Sequence, residues 1–130
     1  MSKRKVKVVV IKENMGYSAT TSIGNSFVAA EAESFDELKT KMVEALNFTF
    51  VESGRTFELH DLTFEFDLES FFDFYKVINA KALSERIGMN QSLLAQYIKG
   101  IKKPSPSQTK RILTGVHQIG RELTEVRFLL

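Results

Sequence analysis

The sequence predicts an α+β protein in two parts: a small antiparallel sheet with one helix over residues 1–67, and an all-α part over residues 68–130. Apolar and polar residues alternate in short runs in the first part, whereas apolar residues recur at helical spacing in the second. The charge divides similarly. Residues 1–70 carry 8 Lys and Arg against 12 Asp and Glu, a net −4, and residues 71–130 carry 10 against 4, a net +6. This asymmetry predicts that the second part faces a polyanion, although two differently solvated surfaces would also produce it.

Composition narrows the class of protein further. With 43% hydrophobic and 26% charged residues the chain is typical of a globular protein. It contains no cysteine, which excludes disulfides and thiolate metal sites. The first apolar run stops at Lys12 and is too short for a signal peptide, and no other run approaches the about 20 residues of a membrane span. We therefore expect a cytoplasmic protein with no membrane partner.

The first part predicts three antiparallel strands. In the run "KVKVVVI", three valines at alternate positions form a core face: Val6, Val8 and Val10. Asn14 and Gly16 supply a turn before a second strand that begins at Tyr17. The run "SFVAAEAE" predicts a third strand with Phe27 facing inward.

A helix and a fourth strand follow. Ser34 and Glu37 match the capping box S-x-x-E, so a helix begins after Ser34 and is expected to run to about Val51, with Gly54 as its C-terminal glycine. Its apolar stripe should cover the sheet: Phe35, Leu38, Met42, Val43, Ala45 and Leu46. The alternating run "TFELHDLTFEFDL" predicts the fourth strand, with Leu62, Phe64 and Phe66 inward. The predicted order is β-β-β-α-β.

This region resembles the N-terminal domain of HicB-type antitoxins. The resemblance covers about residues 5–66 and depends on the opening strand, the Gly16-Tyr17 pair and the stretch "AAEAESFDELKTKMVEAL". It implies a partial RNase H-like fold. The chain departs from the family where "TTSIGNS" replaces a longer acidic segment after the second strand.

No catalytic or metal-ligating constellation is apparent in the sequence. The carboxylates of the first part are scattered over the predicted helix surface and strand edges: Asp36, Glu37, Asp61, Glu65 and Asp67. His60 and His117 lie in different halves, without a nucleophile or further ligands nearby in sequence. We therefore predict a non-enzymatic protein with no catalytic residue, metal or cofactor.

The second part predicts a helix-turn-helix. The aromatic run "LESFFDFYKVI" is interpreted as the core-forming first helix of the helical part. Asn79 caps the helix "AKALSERI", whose inward residues should be Ala82, Leu83 and Ile87, and Gly88 ends it. Asn90 caps the helix "QSLLAQYIK", which Gly100 ends, with three residues inward: Leu94, Tyr97 and Ile98. Two such helices with a short turn need a small residue where they cross, and Ala82 is the expected one.

Polar and basic residues on the second of these helices and after it suit DNA. Glutamine can bond adenine through two hydrogen bonds, and lysines neutralise phosphates. The predicted DNA-binding residues are Asn90, Gln91, Ser92, Gln96, Lys99, Lys102 and Lys103. The stretch "LSERIGMNQSLLAQYIKGIKKPS" also resembles the Xre/Cro-type helix-turn-helix, with Ser84 standing where that family often has alanine. A purely structural helical hairpin is the alternative.

The C-terminal segment predicts a long helix and an apolar tail. Five residues of the helix should pack the bundle: Ile112, Leu113, Val116, Ile119 and Leu123. The tail "TEVRFLL" alternates, which predicts a short strand in a dimer interface; an extension of the last helix is the alternative.

Together the two resemblances imply an antitoxin of a type II toxin-antitoxin system. Such a protein would bind a small HicA-like ribonuclease toxin through the sheet and repress its own operon by binding operator DNA, as a homodimer or higher even oligomer. The alternative is a solitary dimeric transcriptional regulator whose first part dimerises or binds a small ligand. A nuclease is the third hypothesis.

Overall fold

The computed structural model describes residues 5–130, which form a mixed α+β protein. The chain divides into two compact units between Phe74 and Tyr75. The first contains a four-stranded sheet and two helices, and the second contains three helices. No helix within residues 5–130 combines the length and the apolar character needed to cross a membrane.

The sheet of the first unit is mixed rather than antiparallel. Its strands are β1 (Val6–Lys12), β2 (Tyr17–Ile23), β3 (Ser26–Ala32) and β4 (Leu62–Phe66), in the order β3-β2-β1-β4. β2 is antiparallel to both β1 and β3, but β4 pairs in parallel with β1. The predicted antiparallel sheet is thus wrong at β4. A single helix connects β3 to β4 and carries the chain across the sheet to the side of β1. β4 therefore runs in the same direction as β3 and β1.

The core of the first unit lies between the sheet and helix α1 (Phe35–Thr49). The predicted core face of β1 is confirmed, and four residues of the predicted α1 stripe are buried: Phe35, Leu38, Met42 and Leu46. The expected inward position of Phe27 is wrong, because this side chain is 67% exposed and Val28 is buried in its place. Successive strand residues point to opposite faces, so an assignment that is wrong by one residue inverts the whole strand.

The segment between α1 and β4 is held by side chains that bond the backbone. The Ser34 hydroxyl accepts the Glu37 N–H at 3.1 Å and begins α1 as predicted. The Asn47 side chain both donates to the carbonyl of Phe57 (3.1 Å) and accepts its N–H (2.7 Å). Leu59–Asp61 form a short 3-10 turn, so β4 starts later than the alternating sequence predicts. These bonds satisfy backbone groups that have no strand partner.

Helix α2 (Leu68–Phe74) belongs to the first unit, which corrects its predicted role in the helical part. Ser70 is only 1% exposed. Its hydroxyl accepts a 2.7 Å hydrogen bond from the N–H of Lys12, the last residue of β1. The Asp73 carboxylate bonds the Lys12 ammonium at 2.8 Å and the Tyr17 hydroxyl at 3.0 Å. Its hydrogen bond to Asp73 raises the pKa of Lys12. The pKa of Tyr17 is raised mainly by burial and, to a smaller extent, by its own hydrogen bond to Asp73. Phe74 stacks edge-to-face on Phe35. The unit boundary therefore falls after α2 rather than before it.

The second unit consists of α3 (Ala80–Ile87), α4 (Gln91–Ile98) and α5 (Pro106–Glu125). Leu83, Leu94 and Ile112 supply its most buried large side chains, one from each helix. The assignment of Ala82 as the buried small residue is wrong, since Ala82 is exposed and Ser84 is 1% exposed. The Ser84 hydroxyl donates to the carbonyl of Lys81 at 2.6 Å, so a polar residue is accommodated there without an unsatisfied group.

The C-terminal helix packs less of its apolar surface than the sequence predicts. Ile112 is buried as predicted. Leu113 is 51% and Leu123 65% exposed, so these two leucines do not pack in the core of the second unit. Helix α5 ends at Glu125, and residues 126–130 belong to neither a helix nor a strand. The alternative of a longer last helix is thus wrong for the single chain.

Candidate nucleic-acid interface

The turn between α3 and α4 is fixed by backbone hydrogen bonds. Gly88 adopts φ +67°, and its N–H donates to the carbonyl of Glu85 while that of Met89 donates to the carbonyl of Ser84 at 2.8 Å. This pairing is the Schellman motif, which a left-handed residue allows. Met89 is 6% exposed and anchors the turn in the core. Asn90 then caps α4 by accepting the N–H of Leu93 at 3.1 Å. The predicted roles of Asn79 and Asn90 as caps and of Gly88 as the end of α3 are confirmed.

Arg111 of α5 holds the same turn from outside. Its guanidinium donates to the carbonyl of Ile87 from Nε (3.1 Å) and from a terminal nitrogen (2.9 Å), and to the carbonyl of Gly88 at 2.7 Å. Carbonyls at a helix C-terminus lack intrahelical partners, and a charged fork satisfies two of them together. The sequence alone does not identify this residue, because an arginine on a solvated helix gives no sign of which backbone it contacts.

Replacing Arg111 should destabilise the turn between α3 and α4. We expect Arg111→Met to lower the free energy of unfolding of the second unit by about 1–3 kcal/mol, because three hydrogen bonds from a charged donor are lost. Arg111→Lys should lose less, since one ammonium can still reach a carbonyl. Urea unfolding followed by circular dichroism measures both variants. Equal stability of Arg111→Met and the parent chain would show that water replaces the guanidinium without cost.

The outward face of α4 carries three of the predicted DNA-binding residues in line. Ser92, Gln96 and Lys99 stand at i, i+4 and i+7, which places them on one helix face. Ser92 and Lys99 are exposed, and Gln96 is half-buried. Gln91 is exposed in the first turn, whereas the side-chain oxygen of Asn90 is occupied by the N-cap hydrogen bond. The buried Leu94 holds the opposite face of α4 in the core.

A second Schellman turn directs the basic segment after α4. Gly100 adopts φ +77°, its N–H donates to the carbonyl of Tyr97, and the N–H of Ile101 donates to that of Gln96 at 3.0 Å. Lys102 and Lys103 follow directly and are exposed. The structure thus places polar donors along one face of α4 and ammonium groups just beyond its C-terminus.

Within residues 5–130 no group of three or more His, Cys, Asp or Glu side chains could hold a metal ion. Asp61, one of the five carboxylates noted in the sequence, accepts the N–H of Glu58 at 2.9 Å in a capping box. This contact gives Asp61 a structural role at the turn before β4.

The fold defines a mixed α+β protein with a sheet unit followed by a three-helix unit. Beyond this class, the comparisons give no family: neither a family model, nor a curated protein, nor a solved structure matches the chain.

Proposed function

We propose that the second unit binds double-stranded DNA through α4, in the manner of an Xre/Cro-type helix-turn-helix. The observation that carries the proposal is the line of Ser92, Gln96 and Lys99 on the exposed face of a short helix, with Lys102 and Lys103 next to its end. A major groove admits one α-helix, and the N-terminal part of a recognition helix reads base edges there. The rigid turn before α4 supports this role, because a helix that reads bases must be held in one orientation.

The residues divide between reading and anchoring. The amides of Gln91 and Gln96 and the hydroxyl of Ser92 would bond base edges, with glutamine suited to adenine. Lys99, Lys102 and Lys103 would contact phosphates, which contributes affinity for any sequence. Asn90 would act through its cap, which sets the position of Gln91.

We further propose that the protein is a HicB-like antitoxin, non-catalytic and cytoplasmic, with a partial RNase H-like first unit that binds a small HicA-like toxin. Helix α1 covers one face of the sheet, while the other face exposes apolar side chains: Val9, Ile11 and Phe27. Exposed apolar residues on a sheet face support a protein partner for this unit. The net charge of −4 over residues 1–70 suits a basic partner.

Co-expression with the product of the adjacent reading frame, followed by pull-down, separates this proposal from a solitary regulator. Capture of a small basic protein by the parent chain, lost in a Phe27→Glu variant that stays folded, supports the antitoxin. A regulator without a toxin would bind DNA but capture no such protein. Metal-dependent RNA cleavage by the purified chain would contradict both.

The DNA proposal is tested by binding to the fragment upstream of the protein's own gene and to an unrelated duplex. We expect Gln96→Ala to weaken binding to the upstream fragment by about 1–3 kcal/mol and to leave the unrelated duplex unchanged. Lys102→Ala and Lys103→Ala should weaken binding to both duplexes and reduce the slope of log affinity against log salt by about one each.

Lys76→Ala is the matched control, because it removes the same charge from an exposed position outside α4 and the segment after it. We expect it to change neither the affinity nor the salt slope appreciably. A salt slope that is the same in all three lysine variants would exclude the phosphate contacts.

A further inference from the structure

The other helices of the second unit bury only part of the apolar surface of α5. Its inner face packs on α3: Ile112 is 2% exposed, and a β-carbon on Gly115 would overlap Ile87. Beside them, Arg86 of α3 forms a 2.6 Å ion pair with Glu122. These contacts fix which side of α5 faces the unit and leave the neighbouring side open.

The neighbouring side bears a second apolar row, here called the outer stripe. Its members recur after three, four and three residues, the spacing of helices that pack along one another: Leu113, Val116, Gly120 and Leu123. Leu113 and Leu123 are 51% and 65% exposed, and a β-carbon on Gly120 would meet no atom within 4 Å. Gly120 thus forms a notch in an exposed row of larger side chains, at an open groove that Val116 also lines.

The tail beyond α5 is a second exposed apolar segment. Within residues 126–130, Val126 is 47% and Phe128 87% exposed, and Leu129 and Leu130 are fully exposed. An exposed apolar patch of such extent marks an interaction site.

We propose that the outer stripe and the tail form a homodimer interface, in which α5 of one copy packs antiparallel on α5 of a second copy. This deepens the proposed function, on which it rests for the expectation of a dimer, by assigning the surface.

The order of side-chain sizes in the outer stripe selects both the partner and the direction. A two-fold axis that crosses the stripe at the level of residue 118 pairs positions equidistant from that level, so Leu113 faces Leu123 and Val116 fills the notch at Gly120 of the other copy. A parallel arrangement would set Gly120 against Gly120 and leave a void without contacts. The four stripe residues carry no charge, and Arg121 lies at the side of the groove that Gly120 and Val116 line, so the stripe itself offers no counter-charge to a charged partner.

The surface area that a stable dimer must bury requires the tail to contribute to the interface. A specific dimer buries roughly 800 Å² on each partner. The outer stripe is about 15 Å long at the rise of an α-helix, which is too short to provide that area. Phe128, the single aromatic residue of the tail, can add on the order of 150–250 Å², and the three aliphatic tail residues extend the contact.

Gly120→Leu tests the notch in the full chain, without DNA, by sedimentation equilibrium. The single chain has room for leucine at this position, and helix propensity favours it, so the fold should be kept. Dimerisation should weaken at least about tenfold, the equivalent of about 1.4 kcal/mol, because leucine blocks Val116 of the other copy. Deletion of residues 126–130 should weaken it similarly. Gln118→Leu, on the side of α5 away from the stripe, is the control and should leave the dimer unchanged.

Direction is tested by cysteine cross-linking, for which the chain offers a cysteine-free background. An oxidised mixture of Leu113→Cys and Leu123→Cys variants should give mixed disulfide dimers, whereas Leu113→Cys by itself should not cross-link. Self-cross-linking of Leu113→Cys would overturn the antiparallel arrangement. A monomeric parent chain, or a Gly120→Leu dimer as tight as the parent, would overturn the interface. The parallel measurement on Gln96→Ala, which should dimerise normally, keeps a failure of DNA binding distinct from a failure of dimerisation.

Discussion

Gly16→Ala is expected to destabilise the first unit by about 2–5 kcal/mol, the sum of a backbone term and a steric term. Gly16 has φ +86°, a left-handed conformation that costs an L-residue about 1–2 kcal/mol. A β-carbon there would also overlap the carbonyl oxygen of Ala32 and lie 2.9 Å from the Cα of Glu33. Both are backbone atoms of the β3 end, which cannot rotate away as a side chain can. The cost therefore falls on the pairing of β2 with β3, where Tyr17 is opposite Ala32.

Gly24→Ala provides a matched control in the next turn of the same sheet. Gly24 has φ +58°, but a β-carbon there would meet no atom within 4 Å. It should therefore lose only the backbone term of about 1–2 kcal/mol. Urea unfolding followed by NMR, in which the amide peaks of each unit report separately, measures both variants. Equal losses for the two variants would contradict the close approach of Gly16 to β3.

Gly115→Leu is expected to destabilise the second unit by about 3 kcal/mol, because overpacking at a helix contact forces α5 away from α3. An added β-carbon would overlap Ile87 Cγ2 and lie 3.4 Å from Leu83 Cδ1, and Leu83 is 2% exposed. The steric cost should exceed the gain in helix propensity of about 0.8–1 kcal/mol. Displacement of α5 also moves Arg111 from the α3–α4 turn, so the proposed DNA binding should weaken as the stability falls.

Thr114→Leu is the matched control, since it places leucine on the adjacent, exposed position of α5. Its free energy of unfolding should stay within about 0.5 kcal/mol of the parent. Thermal unfolding followed by circular dichroism compares the two variants. A Gly115→Leu chain as stable as Thr114→Leu would show that Ile87 yields without cost.

The residues that the sequence predicts best act over short distances. The caps at Ser34, Asn79 and Asn90 and the left-handed glycine at Gly88 each depend on bonds within about five residues, which a local pattern specifies. The alternation in β1 and the α1 stripe are equally local, since backbone geometry sets their period. The polar face of α4 follows from the same helical period.

The predictions that are wrong concern contacts between distant segments. The aromatic run of α2 has the period of a core helix, but its period does not say which core, and Ser70 and Phe74 commit it to the sheet. Phe27 is the larger apolar residue of its pair, yet the pleat of β3 gives the core to Val28. Likewise Ala82 and Ser84 are both small, and the packing of α3 buries Ser84.

The sequence by itself thus determined the α+β class, the caps that begin α1, α3 and α4, the glycine that ends α3, and the polar face of α4. The tertiary structure decided the parallel pairing of β4, the unit to which α2 belongs, the clamp of Arg111 on the turn, and the part of α5 that stays exposed. The physical reason is the range of the interactions. Propensity, capping and periodicity act between neighbours in the chain, whereas strand order, helix contact and burial depend on which remote surfaces fill the same space.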